Sequence, residues 1–181
     1  IHLNGDIVNH GFWDNYETRL TGQYWQEINF GPGIVFTGNN FINNNSSNDI
    51  NVTSDIAFNN TNIDFNYANV TLPQNANISI EGNVYFRDGN LYANGAELYM
   101  TNGAQLANWN IYNIIISGVI QIGDSNIDFY TNAVNNGTIQ NVGSSHSVNF
   151  HGSFTNNGNI LNSVNFLSLF FQDDLINGGS I

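Results

Sequence analysis

The chain contains no Lys, and Arg19 and Arg87 are its only Arg residues. Against them stand 14 Asp and Glu, for a formal net charge of -12. A surface of that sign repels nucleic acid, anionic lipid and acidic polysaccharide. The basic patch of a nucleic-acid binder is missing. Polysaccharide lyase chemistry needs cationic groups around a uronate, and the two Arg residues belong to different stretches. Cys is absent, so no disulfide framework exists. Charged residues make up only 9%, far below the usual quarter or so. The most apolar stretch, "IYNIIISGVIQIG" from Ile111, is too short to cross a bilayer and reads as buried strand. No signal peptide is recognisable. Good helix formers are scarce, while Asn, Gly and β-branched residues abound.

What is present is Asn, 37 of 181 residues. Apolar residues are interleaved with it at regular intervals, which argues against a disordered or aggregating Asn-rich tract. "IDFYTNAVNNGTI" from Ile127, "VNFHGSFTNNGNI" from Val148 and "LFFQDDLINGGSI" from Leu169 align without gaps at 21-residue spacing. Phe129, Phe150 and Phe171 share a column, as do Asn135, Asn156 and Asn177, and Gly137, Gly158 and Gly179. Matching positions lie two residues apart, the periodicity of a strand with alternate side chains on one face. "IHLNGDIVNHGFW" at the N-terminus fits the same columns, with Asn9 at the Asn position.

The opening phrase of the repeat recurs at Ile34, Ile56, Ile78 and Leu98. Two longer intervals predict irregular insertions near 13–33 and 103–126 within a single unit, 1–181. Eight phrases imply about eight coils of roughly 21 residues. One copy cannot bury its own apolar face, whereas stacked copies share a continuous core. The expected fold is therefore all-β, a right-handed parallel β-helix; the hand follows the general preference of parallel crossovers. With about 4.8 Å per coil, the rod is expected to be roughly 40 Å long. The three Phe residues are expected to stack inside it. The recurrent Asn sits at inward parity and needs partners, so an Asn ladder is expected; a left-handed turn role for Asn is compatible with it. Gly is expected to serve the sharp corners.

The phrases "GSFTNNGNI" and "DLINGGSI" resemble repeats of large secreted bacterial surface proteins, the Asn/Gly-rich parallel β-helices of haemagglutinin-type adhesins. The resemblance covers most of the chain as a pattern. It implies adhesion, surface display or polysaccharide contact, and carries over no catalytic residue. Ile1 opens a repeat and Ile181 ends one, and neither end reads as a cap. Partners are thus expected to be flanking coils or further copies, end to end.

Chemistry is thinly represented. A glycosidase needs two carboxylates facing one cleft. Asp173 and Asp174 are adjacent and point to opposite sides of a strand, and Asp124 with Asp128 is the remaining pair. His2, His10, His146 and His151 read as surface imidazoles. Calcium is possible, because Asp, Asn and carbonyl oxygens abound, yet neither an EF-hand loop nor a calcium-roll repeat is present. No other cofactor is expected. The polar column Thr138, Asn159, Ser180 is not the Thr array of an ice-binding face. Tyr24 and Trp25 in the first irregular segment, and Trp109 and Tyr112 in the second, are the candidate ligand contacts, since aromatic rings suit sugar faces. The expected function is a non-catalytic extracellular stalk, filament or adhesin segment of a bacterial cell surface. A carbohydrate-binding module and a polysaccharide-active enzyme are the alternatives.

Overall fold

The computed structural model describes residues 1–43, 49–59, 61–66, 68–81, 84–87, 89–100, 104–107, 109–122, 126–142, 146–162 and 166–181. Among the described residues there is no helix. The strands form three parallel sheets of nine, nine and eight strands. Sheet A runs from His2–Leu3 to Asn159–Asn162, sheet B from Ile7–Asn9 to Leu167–Phe171, and sheet C from Val35–Phe36 to Leu175–Asn177. One revolution visits each sheet once. Ile127–Phe129 lies in sheet B, Ala133–Asn135 in C and Thr138–Asn141 in A, and the next coil repeats the order. The chain is a parallel β-solenoid.

Alternation explains the interior. In Thr138–Asn141, Ile139 and Asn141 are buried while Thr138 and Gln140 are half-buried on the outside. The core is a single column of such inward residues. Toward the N-terminal end it is aromatic, with Phe36 edge-on to Phe41 at 5.2 Å and Phe41 against Phe58 at 5.4 Å. Toward the C-terminal end Phe129, Phe150 and Phe171 lie over one another at 5.0 Å per step, within 7° of parallel. The expected internal stack is present, because equal 21-residue coils bring the same rotamer above itself.

The amide ladder is present too, with one correction. Asn135 donates to Asn156 Oδ1 and Asn156 donates to Asn177 Oδ1, both at 2.8 Å. Their second N–H groups reach the carbonyls of Asn159 and Ser180 at 3.1 Å. Asn135 and Asn156 are fully buried. Asn9 is not a rung. It lies in sheet B opposite Phe30, and its side chain closes a local turn with Gly11. The left-handed role falls to other residues: Asn75, Asn94 and Asn113 hold φ of 54°, 54° and 53°. They recur at one corner, where a short polar side chain tolerates that conformation. Asn156→Ala is expected to cost about 2–3 kcal/mol, because the buried Asn135 amide is left without its acceptor and the bonds to Asn177 and Ser180 on the next coil are lost at the same time. Urea unfolding followed by circular dichroism measures it.

The glycine column has a reason other than corners. Gly137, Gly158 and Gly179 have no positive φ. A Cβ on Gly158 would fall inside the carbonyl group of Gly137, and one on Gly179 inside that of Gly158. Glycine is required here because successive coils touch backbone to backbone.

The two segments read as irregular differ: the strands described in both belong to the three sheets, but only the first lies in a lengthened coil. Ile56, Ile78 and Leu98 are in register on sheet C, and the next strand of that sheet is Ile114–Ile116, with Ile116 opposite Leu98. Ile127 instead lies in sheet B, opposite Trp109. The long interval before Ile127 is therefore a change of face, not an inserted loop. Register offsets are in fact smallest here: Ala104 pairs with Ile120. The N-terminal copy is out of phase in the same way, with His2–Leu3 in sheet A and Ile7–Asn9 in sheet B. Near 13–33 the strands Glu17–Leu20 and Trp25–Phe30 are regular members of A and B. The coil is long there, since Gln26 pairs with Ile50. Gln26 is buried in an otherwise apolar column. Its amide donates to the carbonyls of Leu3 and Gly5 at 3.0 and 2.6 Å and accepts from Gly22 N at 2.9 Å, which ties the corner to the coil before.

Candidate functional surface

Sheet B carries a regular outer face among the described residues. Four successive strands present the same triplet: Asn90-Leu91-Tyr92, Asn110-Ile111-Tyr112, Asp128-Phe129-Tyr130 and Asn149-Phe150-His151. The middle residue points inward and fills the core, so its neighbours must point outward. Two outer columns result.

The first column is an amide and carboxylate ladder. Asn69 donates to Asp49 at 2.9 Å, Asn90 to Asn69 at 2.6 Å and Asn110 to Asn90 at 2.8 Å. Further along, Asn149 donates to Asp128 at 2.9 Å. Trp25 precedes Asp49 in this column and Phe170 follows Asn149. The second column is aromatic. Tyr92, Tyr112 and Tyr130 stack at 4.8 and 5.2 Å, and the His151 ring continues the stack at 4.5 Å. Tyr112 resists ionisation, first because neighbouring rings exclude water from it and then because Tyr92 and Tyr130 would repel a phenolate.

His151 joins the two columns. Its Nε2 lies 2.8 Å from Asp128 Oδ1. That bond holds the imidazole pKa above its ordinary 6.5; partial burial opposes the rise and a hydrogen bond with Gln172 adds to it. A folded pKa above the unfolded one stabilises the protein fully below pH 6.5, and that contribution disappears as pH rises through the folded value. The His151 titration midpoint, read by NMR, is expected above 6.5 and to fall in Asp128→Asn. The loss of thermal stability over that window is expected to shrink in the same variant.

The sequence-derived contacts divide as follows. Tyr24 and Trp25 are exposed, at 78% and 58%. Tyr24 borders a hollow of about 290 Å³ with Asn4, Thr21, Gly22 and Gln23. The Trp109 backbone lies in sheet B, while its side chain falls outside the described residues. Tyr112 belongs to the outer stack, with Tyr92 over one ring face and Tyr130 over the other. It therefore offers a sugar its edge and hydroxyl rather than a flat face. The structure does not bring Tyr24 together with Tyr112.

The acidic groups are dispersed. Asp128 is engaged by Asn149 and His151. Asp173 accepts from Ser153 at 3.2 Å, and the Asp174 carbonyl accepts from Phe154 N. Asp124 lies outside the described residues. No group of three His, Asp or Glu among the described residues has the arrangement of a metal site. A cleft of about 530 Å³ opens at the corner between sheets B and C, below the Gly31-Pro32-Gly33 turn, with His10, Asp55 and Ser79 on its walls. Comparison with protein-family models, curated proteins and solved structures gives no match to this chain.

The sequence reading missed Tyr92, Tyr130 and the outer Asn ladder. The signal was the triplet Asx-apolar-aromatic, which recurs at 20, 18 and 21 residues. Treating 103–126 as an insertion broke that series in the middle.

Proposed function

We propose that the chain is a non-catalytic stalk segment of a large bacterial cell-surface protein, a right-handed β-helix of the haemagglutinin-type adhesin kind. It stands outside the cell and holds an adhesive element away from the surface. Further coils or copies stack on it end to end. The observation that carries the reading is the continuity of three parallel sheets across every coil. Each coil bonds only to its neighbours, so length can be added without a new fold. The dispersed carboxylates and the uniform outer columns fit a scaffold better than a reaction centre.

The test is localisation on the producing cell. Antibodies against the chain are expected to label intact cells, with gold particles along surface filaments in electron micrographs. Label confined to the cell interior sinks the reading. Release of reducing sugar from neutral or acidic polysaccharides by the purified chain would overturn its non-catalytic part.

A further inference from the structure

We propose that the outer face of sheet B binds a neutral, extended β-1,4-linked polysaccharide lying along the axis of the solenoid. This is a lateral binding function, separate from the stalk role. The argument starts from repetition. Asn90 with Tyr92, Asn110 with Tyr112, Asp128 with Tyr130 and Asn149 with His151 form four consecutive rungs of the same two-group pattern. A ligand matched to one rung is matched to later rungs only if it keeps step with the strand spacing. In a ribbon-like β-1,4-linked chain the rings follow one another at about 5 Å, close to that spacing, and alternate rings are turned over, so the chain repeats every second rung. A coiled α-linked chain does not keep such a register.

The groups on display suit hydroxyls. Asn69 and Asn90 each spend one N–H and one acceptor position on their neighbours, Asn110 and Asn149 each spend one N–H, and all four retain further positions for a ligand. The stacked tyrosines cover one another's faces, so they present edges and phenol hydroxyls. Tyr92 and Tyr130 remain 37% and 40% exposed. The ladder bonds and ring stacks hold this array in place before any ligand arrives, which lowers the ordering cost of binding. Trp25 and Phe170 stand in the amide column at its far ends, both more than half exposed, and offer apolar surface to sugar C–H groups.

Charge selects among polysaccharides. Glu27, Asp49 and Asp128 lie on this face, while Arg19 and Arg87 both belong to strands of sheet A. These carboxylates repel an anionic polymer, and the one imidazole in the stack, His151, is already paired with Asp128. A neutral glycan meets donors and acceptors.

The test is co-sedimentation of the purified chain with insoluble cellulose and chitin, with starch granules as a neutral control of different shape and soluble polygalacturonate as an anionic competitor. Retention on cellulose or chitin, undiminished by polygalacturonate, is expected. The triple variant Tyr92→Phe, Tyr112→Phe, Tyr130→Phe keeps the ring stack and removes only the hydroxyls. Its retention is expected to drop at least about tenfold, in line with several lost hydrogen bonds. Thr155→Ala on the outer face of sheet C is expected to bind like the parent. Circular dichroism checks that each variant is folded. No retention on either β-1,4-linked polymer, equal retention on starch, or full retention by the triple variant overturns the proposal. So does shaping of ice crystals without glycan retention, since a regular hydroxyl array of this kind would then serve ice. None of these outcomes bears on the stalk reading, which rests on localisation.

Discussion

Gly158→Ala is expected to detach the last coil from the body of the solenoid. A Cβ at this position has no space: it would overlap the Gly137 carbonyl group of the coil before. The obstacle is backbone, so no side-chain rotamer can relieve it. Gly179 repeats the contact one coil further on, against the Gly158 carbonyl. Relief therefore requires neighbouring coils to separate locally, which breaks strand bonds such as those from Asn159 N to Gly137 O and from Ser180 N to Gly158 O. Overpacking of this kind costs about 3 kcal/mol or more. Because coils couple only to their neighbours, the damage should stay local. Hydrogen exchange read by mass spectrometry is expected to show lost protection in residues 154–181 and retained protection in the N-terminal half. Uniform protection equal to that of the parent would contradict the backbone-contact account.

Phe150→Ala is expected to cost about 3–5 kcal/mol, the range for deleting a fully buried aromatic side chain. Phe150 is 1% exposed. Its ring lies 5.0 Å from both Phe129 and Phe171 and 4.0 Å from Phe154. It therefore links three coils and two sheets. Removing it opens a cavity that stacked neighbours, fixed by their own strands, cannot close. The thermal midpoint should fall on the order of 10 °C for a chain of this size. Phe150→Leu should recover much of the loss because it refills most of the volume. A loss below about 1 kcal/mol would mean that the column is not the packing unit.

The candidate surface was only partly legible from sequence. Tyr112 was picked out, yet for a different reason: as a loop aromatic rather than as the middle of a stack. Tyr92 and Tyr130 were invisible because their relation to Tyr112 depends on coil length, which shortens between Leu98 and Ile116. His151 was recognised as outward-facing, but not its bond to Asp128. Those two residues are 23 apart, and they meet because Asp128 and Asn149 are opposite each other on adjacent strands.

By itself the sequence determined the strand period, the repeat of about 21 residues, the internal Phe stack and the Asn ladder of the last coils. Those follow from identical spacing, since equal coils superpose equal residues. Which sheet each phrase occupies was decided only by the tertiary structure. Alternation separates inside from outside, but it looks the same on all three faces. Asn9 and Asn135 therefore share a pattern while lying in different sheets. The glycine column shows the same division: its recurrence was readable, while the backbone contact that requires it exists only between stacked coils.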